Sequence, residues 1–517
     1  MRTPKAPPLH ETRADYEIAK QGGRFRRPRK GVTGVGTSAD YHFRSEREWL
    51  YSMEYGRDLD RNDSIGGMVI DRLLDSILQD NGIRPDPCTG DENADAFLKQ
   101  KWEAWAANPD QCDLAGEMSF VEMERAVLRS ALVDGDHLAL PNESGALELM
   151  EAHRCRTPSN TKRNIVFGVE MNAHRLRTRY LFTNEELSPT RALRKVSDTT
   201  PIDARDEDGN RQVFHVFDPD RISQTRGVSC FRRVADSMGM HDDIQFANLV
   251  RQQIASCFAI IRNRNEPGGL GNSQYGDRTT ETSGSYTRTM ENVAPGMEVI
   301  AEDETIEGFS PNIPNPQFFE HVHLILKIIS ANLGIPLHAV LLDASQTNFS
   351  GWRGAHDQAR AGYRRIQTWF LRKFHRQVYL WKVRNWLAES PELQAWANQS
   401  GVDIFKHKWN RPSWEYIQPV QDAAADVAKV RGLISTLRRV HAGRGDDFDE
   451  IIVEAVSDNA KLYRLCRDAA RQINAELEDG EEPITWREML AMPLHEGLNV
   501  SLVATADSGS SGGQNAA

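Results

Sequence analysis

Much of what the common enzyme and membrane classes need is missing from this chain of 517 residues. No run of about 18 apolar residues occurs, so no membrane-spanning helix is expected. The opening "MRTPKAPPLHETRADYEIAKQGGRFRRPRKG" has no apolar stretch and is not expected to act as a signal peptide. The cysteines, Cys88, Cys112, Cys155, Cys230, Cys257 and Cys466, show no CxxC spacing, which fits free thiols in a reducing compartment. There is no Gly-Lys dipeptide, which excludes a Walker A phosphate loop, and no HExxH zinc motif. The glycines of "GVTGVG" (31–36) follow no strand and do not make a dinucleotide fingerprint. His321 and His323 stand two apart in a helical pattern and point to different faces, against a zinc pair. The carboxylates of "DGD" (134–136) and "DPDR" (218–221) read as turn chemistry. No catalytic, metal-binding or cofactor residue is therefore assigned. An excess of positive charge is absent as well. A net charge of −11 argues against a surface that grips nucleic acid throughout, but not against one past which DNA must slide.

What is present is mixed α+β and mostly helical. Residues 1–42 read as a flexible arm. Its basic cluster "RFRRPRK" (24–30) is either a solvated tail or a contact for nucleic acid or a neighbouring subunit. From Arg44 to about Asn81 the pattern is helical, closed by the Gly of "DNGI". A second helix is expected around Trp102 and Trp105, and a third from Phe120 to Val133. "HLALPNESGALELM" reads as strand, turn, strand, and strands are also expected at "NIVFGVEM", "RTRYLFT" and "RQVFHVFD". A helix from Ala235 to Arg262 carries Phe246, Val250, Ile254, Cys257 and Ile261 at steps of three and four. A polar excursion of about fifty residues follows (263–316), either a surface loop or a small β element presented to a partner. Next comes a helix from Gln317 to Leu333 with Phe318, Val322, Ile325, Ile329 and Leu333 on one face. A third long helix is expected from Ser350 to Leu387, more than about 50 Å at ~1.5 Å per residue. It follows the polar run Ser345-Gln346-Thr347-Asn348-Phe349 abruptly. Asn348 or Ser350 is suited to cap it, with Arg353 one turn in. Helices with short breaks are expected over 420–505, then a compositionally disordered tail, 506–517.

Four blocks in this order resemble the lambda-like phage portal protein family, over about residues 43 to 440. They are "GRDLDRNDSIGG" (56–67), "CDLAGEMSF" (112–120), "FDPDRISQTRGVS" (217–229) and "GIPLHAVLLDASQTNFSGWR" (334–353). One departure is Gly351, where the family usually has a second Ser.

The resemblance implies a portal fold assembled as a ring, twelve-fold in the family. Residues 43–234 would be the wing, 235–262 and 317–335 the two stem helices, and 263–316 the clip. Residues 336–349 would be the tunnel loop, 350–419 the long helix and wing return, and 420–505 a crown-like region. Stem contacts between subunits would use Phe246, Val250, Ile254, Ile261, Val322, Ile325 and Ile329. Partner docking at the clip would use Gly268, Gly269, Tyr275, Arg278 and Tyr286. Residues 345–349 would line the tunnel. Implied partners are the terminase large subunit during packaging, then head–tail connector proteins, the major capsid protein, and double-stranded DNA in the tunnel, with no membrane and no cofactor. The expected location is the virion's portal vertex, after assembly in the host cytoplasm. Two alternatives remain: another connector or scaffold ring, and a DNA-processing enzyme, against which the missing phosphate loop weighs.

Overall fold

The computed structural model describes residues 39–43, 45–159, 164–183, 196, 198–256, 260–264, 278–283, 286–291, 304–308, 316–345, 347–414, 418–444, 448–475 and 483–486. The basic cluster at 24–30, Cys257, Gly268, Gly269, Tyr275, Gln346 and the 506–517 tail lie outside them. In chain order the helices that bear on the argument are α1 (Glu46–Asn62), α2 (Ser64–Leu78), α3 (Glu92–Ala107), α4 (Phe120–Val133), α5 (Ala235–Ser256), α6 (Pro316–Leu333), the short α7 (Leu337–Leu341), α8 (Phe349–Phe370), α9 (Arg376–Glu389), α10 (Pro419–Arg431), α11 (Leu437–Arg444) and α12 (Phe448–Ala475). The chain divides into two compact units. One comprises Met1–Ser76, Ala126–Pro141 and Glu148–Trp369, the other Ile77–Arg125, Asn142–Leu147 and Phe370–Ala517.

In the first unit, the helical pattern expected from Arg44 to about Asn81 is divided at Asp63 into α1 and α2. Its backbone N–H closes α1 on Leu59 O, and its Oδ1 accepts from the free N–H groups of Ile65 and Gly66. One short acid thus ends one helix and caps the next. Gly66 is required there, since a Cβ would lie 2.5 Å from Leu59 O. Strand His137–Pro141 pairs antiparallel with Phe214–Val216, Ala139 opposite Phe214. An antiparallel meander runs through Ile165–Val166, Val169–Met171, Arg177–Thr183 and Thr199–Asp203. The last of these strands was not expected. Leu138, Leu140, Cys155, Val169, Tyr180 and Phe182 fill the core beneath.

A charged hub is buried beside that core. Arg226 donates from Nε to Asp136 and from its other nitrogens to the carbonyls of Ala152, Cys155 and Phe167. Its guanidinium lies 4.4 Å from the Trp49 ring, whose Nε1 donates to Gly227 O. His215 Nε2 meets the other oxygen of Asp136. Burial alone would raise the Asp136 carboxyl, but the Arg226 charge and the hydrogen bonds from His215 and Arg226 outweigh it and hold it well below the carboxylate range. Burial pushes His215 down to about 3, so the imidazole is neutral at pH 7. Turn chemistry thus accounts for only part of "DGD". Gly135 makes the turn at φ +85°, Asp136 anchors the hub, and Asp134 takes a two-pronged bond from Arg57. Within "DPDR", Asp218 and Asp220 pair with Arg365 and Arg232. Among the described residues, no three metal-ligating side chains come together.

The expected helix to Arg262 stops at Ser256. Ile260–Arg264 is instead a strand, with Ile261 opposite Glu307 in Glu304–Gly308. Ile261 is therefore not part of the helical stripe. β-Branched Ile260 and Ile261 favour a pleated surface once a partner strand exists. Within the polar excursion, Arg278–Ser283 and Tyr286–Glu291 form a hairpin, in which Arg278 faces Glu291 and Tyr286 faces Ser283.

In the second unit, Asp91 caps α3 by accepting from Asn93 and Ala94. Trp102, Trp105, Phe120, Phe374 and Tyr379 pack ring against ring, at centroid distances of 5.1 to 5.8 Å along the chain of neighbours. Buried Glu124 accepts from Ile83 N–H and lies 2.9 Å from His375 Nε2. Lys382 donates to Gly145 O at 3.0 Å among the faces of Trp105, Trp381 and Trp386, and burial lowers its ammonium to about 8. The long helix expected over 350–387 runs from Phe349 to Glu389, but with a π turn at Leu371–His375.

Candidate functional site

The junction before the long helix is set by three backbone devices in a row. Gly334, at φ +77°, ends α6, and Ile335 N–H returns to Ser330 O. This is the left-handed stop at which glycine carries no Cβ penalty. After the short α7, Leu342 also takes a left-handed conformation, φ 54°, with its side chain 70 % exposed. A left-handed leucine costs on the order of 1 kcal/mol or more. Then Asp343 Oδ1 accepts from Ser345 N–H, and these bonds lower its carboxyl. Thr347 N–H closes a turn on Ala344 O.

Asn348 Oδ1 accepts from Gly351 N–H at 2.7 Å and so covers one of the free amides of α8. Ser350 lies inside the first turn and Arg353 one turn further on. Gly351 makes room for this arrangement: a Cβ there would stand 2.7 Å from Asn348 Oδ1.

Ser345, Thr347, Asn348, Phe349 and Ser350 are all exposed. Behind them lies a group that sequence reasoning missed. Phe349, Trp352, His356 and His338 pack in series, with centroids 6.2, 4.4 and 4.8 Å apart, the first pair stacked and the others tilted. The aromatics at 349, 352 and 356 were visible at helical spacing, but the short α7 carrying His338 was not. Further along the first-unit part of α8, Arg365 pairs with Asp218, and Trp369 Nε1 donates to Phe217 O. Both contacts fall in the quoted block that starts at Phe217.

The two helices flanking the polar excursion are apolar on the outside as well as the inside. On α5, Phe246 is 69 % and Leu249 61 % exposed, while Val250 is half-buried. On α6, Ile329 is fully buried, Val322 and Ile325 are half-buried, and Phe319, Leu324 and Ile328 face solvent. Ile254 lies on α5. No helix among the described residues is long and apolar enough to cross a membrane.

The chain belongs to the lambda family of phage portal proteins, whose model matches residues 31–367. It is 22% identical over 405 residues to portal protein B of Escherichia phage lambda, covering 71% of this chain and 74% of that one. It is also 22% identical over 278 residues to the portal protein of Escherichia phage N15, covering 49% and 52%. Among solved structures it is similar to a chain in the neck of an empty gene transfer agent particle, with a TM-score of 0.43, 12% identity, and coverage of 75% of this chain and 93% of that one. A chain in the virion of a native gene transfer agent particle gives 0.41 and 14%, with the same coverage.

Proposed function

We propose that the chain assembles into a ring, twelve-fold as in the family, at one vertex of a tailed-phage capsid. DNA passes through this ring, which carries no catalysis of its own. Its parts are those the resemblance implies: a wing (43–234), stem helices now bounded at Ala235–Ser256 and Pro316–Leu333, and a clip built on the strands between them. The clip docks the terminase large subunit during packaging and head–tail connector proteins afterwards, while the wing meets the major capsid protein. Assembly takes place in the host cytoplasm. Residues 345–349 line the tunnel, and Asn348 fixes the start of the radial helix.

The observation that carries this reading is the pair of helices α5 and α6, with apolar side chains exposed on their outer faces. A closed ring gives each subunit two different neighbours, so its helices need apolar surface on more than one side. Polar, uncharged groups at 345 and 347–348 suit a channel wall, since they add no phosphate contacts. Negative-stain imaging of the pure protein is the test. Rings with a central hole are expected, and Ile325→Asp should yield protomers by light scattering. A monomer that cleaves DNA or hydrolyses ATP refutes the reading.

A further inference from the structure

The C-terminal helices pose a separate problem. Among the described residues of α10, α11 and α12, only Cys466 and Ala470 are buried. α12 has 28 residues, and an isolated helix of any ordinary length draws most of its stability from packing. Among the described residues, its own chain meets it near its start and in its second half. Arg438 pairs with Asp449 and His441 meets Phe448 near the start, while Asn474 exchanges two hydrogen bonds with Ile484 and Tyr463 meets Trp486 towards the end.

At ~100° per residue, the uncovered apolar residues fall on two sides about 160° apart. One side carries Val453 and Val456, 68 % and 63 % exposed, with Ala460 between them and Tyr463. The other carries Leu462 and Leu465, 47 % and 61 % exposed, with half-buried Ile451. The balance of charge divides the same way. Arg464, Arg467 and Arg471 flank the valine side, where Asp449 is already paired with Arg438, and Glu454 and Asp458 flank the leucine side against the single Lys461. Like sides would repel and unlike sides attract, which disfavours a two-fold contact of one side with itself and favours a head-to-tail contact.

We infer that α12 is a ring-contact helix: the valine side of one copy packs on the leucine side of the next, so that a second copy of this chain covers each. The inference rests on the ring proposed above and extends it beyond the residues that the family model matches, 31–367. One partner could cover only one side. A cyclic array supplies both from a single sequence.

Amide hydrogen exchange, read by mass spectrometry on full-length rings and on protomers separated by size exclusion, tests this. Residues 448–475 should exchange at least about tenfold more slowly in the ring than in the protomer. Val456→Asp and Leu465→Asp change exposed positions and leave the protomer folded. Each should return the segment to fast exchange while α9 stays slow. Equal protection in the protomer would mean that the chain covers this helix itself, and would overturn the contact. Fast exchange in an intact wild-type ring would assign the helix to another protein, with the same consequence. Failure of the wild type to form any ring, seen by light scattering, would instead refute the ring reading on which the contact rests.

Discussion

Replacing Arg226 by Met keeps an unbranched apolar stem, shorter by the guanidinium end, and removes the charge. Asp136 then remains fully buried with His215 and the Gly227 N–H as its remaining partners, and the carbonyls of Ala152, Cys155 and Phe167 each lose a donor. Removing one member of a buried pair typically costs about 3–5 kcal/mol, most of it the desolvated charge left behind. The methionine recovers a little by packing on Trp49. A net loss of about 4 kcal/mol in a unit of roughly 300 residues corresponds to a fall in melting temperature of about 5–10 °C.

The cost should also depend on pH. With the guanidinium gone, His215 gains most by taking up a proton beside Asp136, so its folded-state pKa rises. The penalty should therefore be smaller at pH 5.5 than at pH 8. Scanning calorimetry at both values reads each half. A melting temperature within about 2 °C of wild type at pH 8 would mean that the hub adds nothing beyond a well-packed apolar core, and a penalty independent of pH would refute the proton uptake.

In the wild type, burial depresses His137 and His153 to about 4 and His215 to about 3. Each therefore binds its proton in the unfolded chain first, and stability should fall as pH drops from 6.5 towards 4, by up to ~1.4 kcal/mol per unit and histidine; urea unfolding across that range, with no drop, refutes this. Asn348→Ala removes the cap of α8 and should cost about 1 kcal/mol, seen as faster amide exchange over 349–353. Gly135→Ala places a Cβ 2.2 Å from Val228 backbone at φ +85° and should destabilise by more than about 2 kcal/mol, measured by calorimetry. Gln346→Lys should leave ring assembly intact and slow DNA translocation, with partial relief by salt; wild-type packaging at low salt would remove this segment from the tunnel wall.

Local signals in the sequence translated well into structure. Phe120–Val133 has the predicted bounds because its apolar spacing and ends are local. So does the turn at "PNESG", where Gly145 N–H bonds to Asn142 O and Asn142 N–H to Ala146 O. The failures are non-local. Nothing near Ile260 announces that its partner, Gly308, lies nearly fifty residues on, so the apolar stripe reads as more helix. "TTPID" contains a proline and no alternation, yet it forms a strand because Pro201 stands opposite Leu181 at a sheet edge, where no N–H is needed. The hub was invisible for the same reason. "DGD" satisfies every rule for a turn, and only Arg226, ninety residues later, shows what else Asp136 holds. At the junction, the cap and the polar run were legible, whereas the left-handed Leu342 carries no sequence mark.

The hub also constrains the order in which the molecule can be made. Its contacts draw together Trp49, Asp136, the carbonyls between 152 and 167, and Arg226, and the unit around it closes only with Trp369. During synthesis at ~5–20 residues per second, the ribosome delivers Trp49 many seconds before Arg226. Over that interval the first helices, with Trp49, Leu50 and Met53, have no complete core to enter. Loop-closure entropy over such separations makes this unit a slow folder. Chaperone demand should therefore peak on nascent chains that end before residue 226, ease once Arg226 has emerged, and end only after Trp369.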